Sequence, residues 1–220
     1  FDGQNNVTII MSLAKNGSLA SVIQNVQKGL AHHQYDNTMR QKILIGVARG
    51  MMHLHQNHII HRDLKPGNIL IDEYFNPHIT DFGLSKFCDV SCSQNQTQSY
   101  GTSIYMAPEV ICENKYSGKA DVYSFAILMY EVVTDCVPYP LFQSGKMTQY
   151  QFNEKVLRQN YSPEFTSPVK ESIKELIIKC WSPEPRDRPT FEEITSLLAN
   201  NNDFIIDGVD ENEFRNYVDL

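Results

Sequence analysis

Apolar residues recur at helical spacing along most of the chain. The clearest stripe predicts a helix over residues 37–55, with Asp36 or Asn37 as its N-cap. Further helices are predicted over 18–24, 120–134, 148–158 and 169–180 and, from a capping box of Thr190 and Glu193, over 190–198. The pattern therefore predicts a fold in which helices dominate.

Strands are predicted only within the first 80 residues. Residues 7–13 form a β-branched and apolar run, as expected of a buried strand. Two short strands, 69–71 and 78–80, flank a turn over 72–77 and should pair as a hairpin. The stretch 83–103 is rich in Ser, Thr and Gln and is long for a loop, which is typical of a functional or disordered segment.

The composition and charge exclude two broad classes of protein. Hydrophobic residues make up 41% of the 220 residues, and 11 Phe and 11 Tyr are present, so wholesale disorder is not expected. The formal net charge is -7. A nonspecific nucleic-acid binder needs clustered Lys and Arg, and we therefore expect no nucleic acid among the partners.

The cysteines and the apolar runs bear on the compartment. The five Cys form no CxxC pair, which argues against a disulfide framework and a structural zinc site and fits a reducing compartment. We expect a cytoplasmic protein. The longest mostly apolar run, 122–133, is too short and too polar to span a bilayer of roughly 30 Å, so no membrane segment is predicted.

Side chains suited to phosphate chemistry concentrate around the predicted hairpin. Asp63, Lys65 and Asn68 share one loop, and strands paired about 5 Å apart would bring Asn68 beside Asp81. An amide oxygen and a carboxylate suit Mg²⁺, which takes few protein ligands. Asp63 can accept a proton, and Lys65 can neutralise a phosphate as a compact cation. These are the requirements of phosphoryl transfer.

Three motifs in this region carry a resemblance to a known family. HRDLKPGN at 61–68, DFG at 81–83 and MAPE at 106–109, in this order, resemble the catalytic loop, metal loop and activation-segment end of eukaryotic protein kinases. The runs 121–131 and 180–191 resemble the central helix and the late helix-loop signature of that family. The likeness is to the tyrosine-kinase-like group, whose members mostly phosphorylate Ser and Thr.

The resemblance implies an α+β, protein-kinase-like fold. It comprises a mostly helical C-terminal lobe, a short β-hairpin and a remnant of the N-lobe sheet. The kinase domain covers 1–200 and is truncated in the N-lobe, with the hinge near 11–14 and the C-lobe at 18–200. An acidic tail at 201–220, with six acidic residues and one Arg, is expected to be a solvated extension. An autoinhibitory or docking role is the less favoured alternative.

The resemblance also implies the roles of the catalytic residues. Asp63 is the catalytic base, Lys65 contacts the γ-phosphate of ATP, and Asn68 with Asp81 holds Mg²⁺. The adenine pocket is formed by Met11 at the gatekeeper position, Ser12 and Ala14 at the hinge, and Leu70 below the base.

Regulatory and structural roles follow from the same resemblance. His61 and Phe82 belong to a regulatory spine, and Gly83 completes the metal-loop motif. Arg62 binds a phosphorylated activation segment, whose candidate sites are Thr97, Ser99 and Thr102. An upstream activating kinase is thereby implied. Glu109 and Arg188 form a buried ion pair, and Asp121 holds the backbone of the catalytic loop.

Two features indicate the substrate. Lys65 followed by Pro66, and Thr102 in the segment before MAPE, favour Ser and Thr over Tyr as the acceptor residues in a protein substrate. We therefore predict an ATP-dependent protein serine/threonine kinase that acts in signal transduction.

The front of the chain departs from the family pattern. No glycine-rich loop and no VAIK-type lysine are present, and the chain begins at Phe1, so it reads as a fragment with little or no kinase activity by itself. The alternative function is a noncatalytic, pseudokinase-like scaffold that binds protein partners through the C-lobe, around 148–158. The intact residues Asp63, Lys65, Asn68 and Asp81 argue against that alternative.

Overall fold

Helices make up most of the regular structure. The computed structural model describes residues 13–30, 35–81, 86–87 and 103–219, with the backbone alone at 86–87. Its helices are α1 (Leu19–Gln27), α2 (Asn37–Gln56), α3 (Pro108–Glu113), α4 (Gly118–Thr134), α5 (Pro140–Gln143), α6 (Gln149–Gln159), α7 (Glu171–Cys180), α8 (Phe191–Asn200) and α9 (Glu211–Val218). Its strands are β1 (Ile59–Ile60), β2 (Ile69–Ile71), β3 (Pro77–Ile79) and β4 (Lys86–Phe87).

The strands form two small antiparallel pairs. β2 pairs with β3 in the register Ile69 to Ile79, and β1 pairs with β4. The turn between β2 and β3 is held by Asp72, whose carboxylate accepts the backbone N–H groups of Tyr74 at 2.9 Å and Asn76 at 2.8 Å. The predicted hairpin is confirmed, with β3 beginning one residue earlier than expected. The strand predicted over 7–13 lies outside the described residues, apart from Leu13.

The centre of the fold is α4. Most of its residues are buried, and Phe125, Ile127 and Leu128 are fully so, as expected of a helix surrounded by the core. α2 packs against α4 and α8, and α7 covers another side of α4. The helix predicted over 120–134 is therefore confirmed as core.

Capping residues set the helix boundaries largely as the sequence indicates. Asp36 accepts the backbone N–H of Met39 at 2.9 Å at the start of α2. Thr148 and Thr190 each close a reciprocal capping box, at the starts of α6 and α8. In the part of the chain that the structure describes, every helix is too short or too polar to cross a membrane.

The acidic tail is folded, so the expectation of a solvated extension is wrong. Residues 202–204 form a 3₁₀ turn, and α9 follows with Phe214 fully buried. The apolar residues of this segment face the C-lobe, and the acidic side chains lie mostly on the outside. The expectation was based on the number of acidic residues and overlooked the spacing of the apolar residues, which is that of an amphipathic helix, α9.

Candidate active site

The loop that follows β1 is fixed by one buried carboxylate. Asp121, in the first turn of α4, accepts the backbone N–H groups of His61 and Arg62, each at 2.9 Å. The same carboxylate bonds to Nε2 of His55, near the end of α2, at 2.8 Å. Asp121 is 1% exposed, so these charge-assisted bonds form away from water. The backbone of this loop is therefore held in place by a residue from outside the loop.

The ring of His61 joins this loop to the end of the hairpin. The Nδ1 atom accepts the backbone N–H of Asp63 at 3.3 Å, which leaves Nε2 to donate to the carbonyl of Thr80 at 3.0 Å. His61 is fully buried. The two bonds are compatible with a single neutral tautomer, which links residue 63 to residue 80 across the loop.

Asp63, Lys65 and Asn68 meet in one cluster. Oδ2 of Asp63 accepts from Nζ of Lys65 at 2.7 Å and from Nδ2 of Asn68 at 2.9 Å. Nδ2 of Asn68 also donates to the backbone carbonyl of Asp63 at 2.8 Å. Oδ1 of Asp63 is buried and has no hydrogen-bond partner among the residues that the structure describes. One oxygen of this carboxylate is thus held in place, and the other keeps an unused capacity to accept a hydrogen bond.

The open end of the hairpin brings the backbone of Asn68 next to that of Thr80, the residue before Asp81. The N–H of Thr80 donates to the carbonyl of Asn68 at 2.9 Å, and Asp81 follows directly. Asp81 is exposed and has φ 65°, and Arg62 has φ 71°, backbone conformations that are uncommon outside glycine and that cluster at functional sites. Because the amide nitrogen of Asn68 faces Asp63, its oxygen points elsewhere. An amide oxygen and a carboxylate fit Mg²⁺.

The residues predicted to form the adenine pocket are described in part. β2 buries Ile69 and Ile71 on one face and leaves Leu70 half-buried on the other. The N–H of Ile71 donates to the carbonyl of Gly17 at 2.8 Å, so the turn that contains Ala14 lies along β2 near Leu70. Met11 and Ser12 lie outside the described residues.

Comparison with known proteins agrees with this geometry. A family model described as "Protein kinase domain" matches residues 1–198. The chain belongs to this family. Two probable serine/threonine-protein kinases of Dictyostelium discoideum are 36% and 41% identical to it, over 89% and 72% of the chain and 14% and 11% of their own lengths. Serine/threonine-protein kinase STY17 of Arabidopsis thaliana is 33% identical over 89% of the chain and 34% of its own length.

These relatives are much longer than the kinase domain itself. The chain spans about a third or less of each. The fold prediction is confirmed at the level of the family, which the matched model and the α+β architecture both show.

A buried ion pair joins the end of the activation segment to the helical lobe of the kinase domain. Arg188 is fully buried, and its Nη1 and Nη2 donate to the two carboxylate oxygens of Glu109 at 2.7 and 2.9 Å. Its remaining N–H groups donate to the backbone carbonyls of Ser182, Lys119 and Pro183. The guanidinium is therefore saturated, as a buried charge requires.

Several predicted regulatory residues cannot be placed. Phe82, Gly83, Thr97, Ser99 and Thr102 lie outside the described residues. Arg62 is described: its guanidinium carbon lies 5.3 Å from the ring centroid of Tyr116, and its Nε atom is buried with no hydrogen-bond partner in residues 13–30, 35–81 and 103–219. No cluster of three or more His, Cys, Asp or Glu suited to a metal occurs among the residues with described positions.

Sequence reasoning missed a partly buried tyrosine–glutamate pair beside this site. The hydroxyl of Tyr105 donates to Oε2 of Glu131 at 2.7 Å, and the backbone carbonyl of Tyr105 accepts from Ser124 at 2.7 Å. Burial raises the pKa of Glu131 to about 7, although the bond from Tyr105 acts against that rise. The sequence signal for this pair was Glu131 itself, because an acidic residue within the apolar run of α4 requires a hydrogen-bond partner.

Proposed function

We propose that the protein that carries this chain is an ATP-dependent protein serine/threonine kinase. It transfers the γ-phosphate of ATP to Ser or Thr hydroxyls of a protein substrate, with Mg²⁺. The observation that carries the proposal is the state of Asp63. One carboxylate oxygen is fixed by Lys65 and Asn68, and the other is buried without a hydrogen-bond partner in the described part of the chain. The names of the relatives support the same activity.

In this proposal the carboxylate of Asp63 is the base, and the ammonium group of Lys65 is bonded to it. Asp63 orients the substrate hydroxyl and takes up its proton as the phosphorus–oxygen bond forms. Lys65, held 2.7 Å from Asp63, lies within reach of the γ-phosphate and offsets its charge. Asn68 and Asp81 would hold Mg²⁺, which supplies charge neutralisation on the phosphate oxygens when it is bound.

The nucleotide site uses the residues along β2. Leu70 presents its half-buried side chain on the face opposite the core and would contact the adenine from below. Ala14, with Met11 and Ser12 before it, would supply the backbone groups that bond to the adenine edge.

Regulation is proposed through the activation segment. A phosphate at Thr97, Ser99 or Thr102 would carry about -2 charge and pair with Arg62, whose Nε has no partner among the residues with described positions. An upstream kinase would add that phosphate. A cytoplasmic location is proposed from the cysteine pattern and from the use of ATP.

The test is phosphate transfer by the protein that carries this chain together with a glycine-rich loop and a nucleotide-binding lysine. Asp63→Asn should abolish transfer of labelled phosphate from ATP to a Ser/Thr protein mixture. Asp187→Asn, which changes a 61% exposed carboxylate, should leave it intact. Full transfer by Asp63→Asn would remove Asp63 as the base and overturn the proposed mechanism.

A noncatalytic scaffold is the second candidate. It is favoured by exposed apolar side chains on adjoining helices of the C-lobe, Leu157 on α6 at 36% and Ile178 on α7 at 45%. Absence of phosphate transfer in the unaltered protein, with partner binding lost on Leu157→Asp, would favour the scaffold.

A further inference from the structure

The helix that leads into the catalytic loop buries polar side chains on one face. Thr38, Gln41 and Lys42 of α2 are 3%, 0% and 8% exposed. Buried polar groups need hydrogen-bond partners, and for these three the partners lie in one segment of the chain. We call this segment the C-terminal brace, residues 202–219.

The first half of the brace bonds to the start of α2 through its backbone. The side-chain amide of Gln41 donates to the carbonyl of Phe204 at 3.1 Å and accepts the N–H of Ile206 at 3.0 Å. The hydroxyl of Thr38 accepts the N–H of Asp210 at 2.9 Å. A segment held through its own backbone groups has a fixed register along the helix.

Apolar burial and charge hold the second half. Phe214 is fully buried, and Glu213 accepts from Nζ of Lys42 at 3.1 Å. The same ammonium lies 5.1 Å from the ring centroid of Tyr217, within range of a cation–π contact. Arg49, further along α2, donates to the carbonyl of Val218. These contacts bring the end of the brace two turns further along α2.

The brace ends where α2 meets the hairpin. A Cβ atom at Gly46 would lie 2.5 Å from the ring of Pro77 and 2.6 Å from the hydroxyl of Tyr217. The absence of a side chain therefore lets three elements meet at one point. Pro77 opens β3, and β3 leads through Thr80 to Asp81. The hydroxyl of Tyr217 and the ring of Pro77 thus both lie against Gly46, and Pro77 begins the strand that leads to the proposed magnesium ligand.

The brace lies beyond the part of the chain that the family shares. The protein kinase domain model matches residues 1–198, which ends before the brace begins. We propose that Tyr217 is a positioning residue that holds Pro77 against Gly46 and so fixes β3 and the placement of Asp81. This inference rests on the proposed kinase function, because Asp81 matters only if Asn68 and Asp81 bind magnesium.

Magnesium dependence provides the kinetic test. In the protein extended with a glycine-rich loop and a nucleotide-binding lysine, Tyr217→Ala should raise the half-saturating Mg²⁺ concentration several-fold. It should leave kcat at saturating Mg²⁺ close to that of the unaltered protein, because Asp63 and Lys65 are not disturbed. Tyr150→Ala removes a tyrosine that is 74% exposed and should change neither quantity. An unchanged Mg²⁺ requirement in Tyr217→Ala, or a fall in kcat alone, would overturn the inference.

Hydrogen exchange provides a readout independent of activity. In the 220-residue chain, Tyr217→Ala should speed exchange of the Thr80 amide, which bonds to the carbonyl of Asn68, and leave α7 amides unchanged. Equal acceleration in α7 would mean global destabilisation and would count against a positioning role, as would an unchanged Thr80 amide.

If the unaltered extended protein transfers no phosphate, the proposed function fails. If it does transfer phosphate and Tyr217→Ala matches it at every Mg²⁺ concentration, only the positioning role fails.

Discussion

Arg188 and Glu109 form a two-point ion pair, with the arginine side chain fully buried, the glutamate side chain 17% exposed, and the Nη atoms 2.7 and 2.9 Å from the carboxylate oxygens. The pair joins α3, at the end of the activation segment, to the loop before α8. Three backbone carbonyls complete the arginine's hydrogen bonds. Such a pair stabilises little relative to an apolar core but is costly to break.

Removing one partner of this pair should therefore destabilise the fold strongly. Arg188→Ala leaves the Glu109 carboxylate without its cation, and a loss of about 3–5 kcal/mol in unfolding free energy is expected, measured by urea denaturation. Arg186→Ala, at a side chain that is 83% exposed, should stay within about 0.5 kcal/mol of the unaltered chain. Comparable midpoints for the two variants would contradict the buried-pair account.

The buried carboxyl of Glu131 should make stability depend on pH. Burial raises its folded pKa from an ordinary 4.5 to about 7, so the folded state keeps this proton over a range where the unfolded chain has released it. Its contribution is therefore present below pH 4.5 and is lost as the pH rises toward 7. The size of that loss is about 3 kcal/mol.

Glu131→Gln removes this titration while keeping a group that can accept from Tyr105. The difference in unfolding free energy between the unaltered chain and Glu131→Gln should change with pH between 4.5 and 7, in favour of the variant as the pH rises. Glu175→Gln, at an exposed position of α7, should show no such change. Parallel pH profiles for Glu131→Gln and the unaltered chain would refute the assignment.

The close packing around Gly46 predicts that Gly46→Ala lowers the unfolding free energy, whereas helix propensity alone predicts that it raises it. Alanine in place of glycine within a helix normally stabilises by about 1 kcal/mol. At Gly46 the added methyl would lie 2.5 Å from the ring of Pro77, and we expect a net loss of about 1–3 kcal/mol from overpacking. Gly67→Ala is the control for unfolding free energy, because its nearest neighbour would be 3.9 Å away. A stabilised Gly46→Ala variant would show that Pro77 and Tyr217 move away from position 46 at little cost in free energy.

Local motifs accounted for the catalytic loop but not for its surroundings. Asp63, Asn68 and Asp81 lie within 19 residues, and a hairpin with a clear turn is enough to bring the ends of such a segment together. Capping residues such as Asp36 and Thr190 act within three positions, and these helix starts were predicted correctly. Interactions between residues close in sequence can be predicted because few backbone conformations satisfy them.

Long-range pairings were the part that local patterns could not supply. Nothing near Tyr105 in the chain indicates that its hydroxyl donates to Glu131, 26 residues away. The brace was misjudged because its acidic composition outweighed the spacing of Ile205 and Phe214, and its partners on α2 are more than 160 residues away. Gln41 is fully buried on α2, and its side-chain amide requires partners of this kind, but the sequence alone does not show which segment supplies them.

Asp121 offers the sharpest test of how the catalytic loop is held. Its two oxygens accept from the backbone of His61 and Arg62 and from the ring of His55, so every partner is a donor. Asp121→Asn would turn an NH₂ group toward at least one of these donors. Each lost charge-assisted bond costs about 1.5–3 kcal/mol, and a total loss of roughly 3 kcal/mol in unfolding free energy is expected.

The exchange of individual amides would separate this effect from a general loss of stability. In Asp121→Asn the amides of His61 and Arg62 should exchange faster than those of α7, because the loop loses its anchor before the rest of the lobe opens. Asp219→Asn alters an exposed carboxylate beside α9 and should leave both sets unchanged. Protection of the His61 and Arg62 amides in Asp121→Asn at the level of the unaltered chain would mean that contacts other than Asp121 hold the catalytic loop.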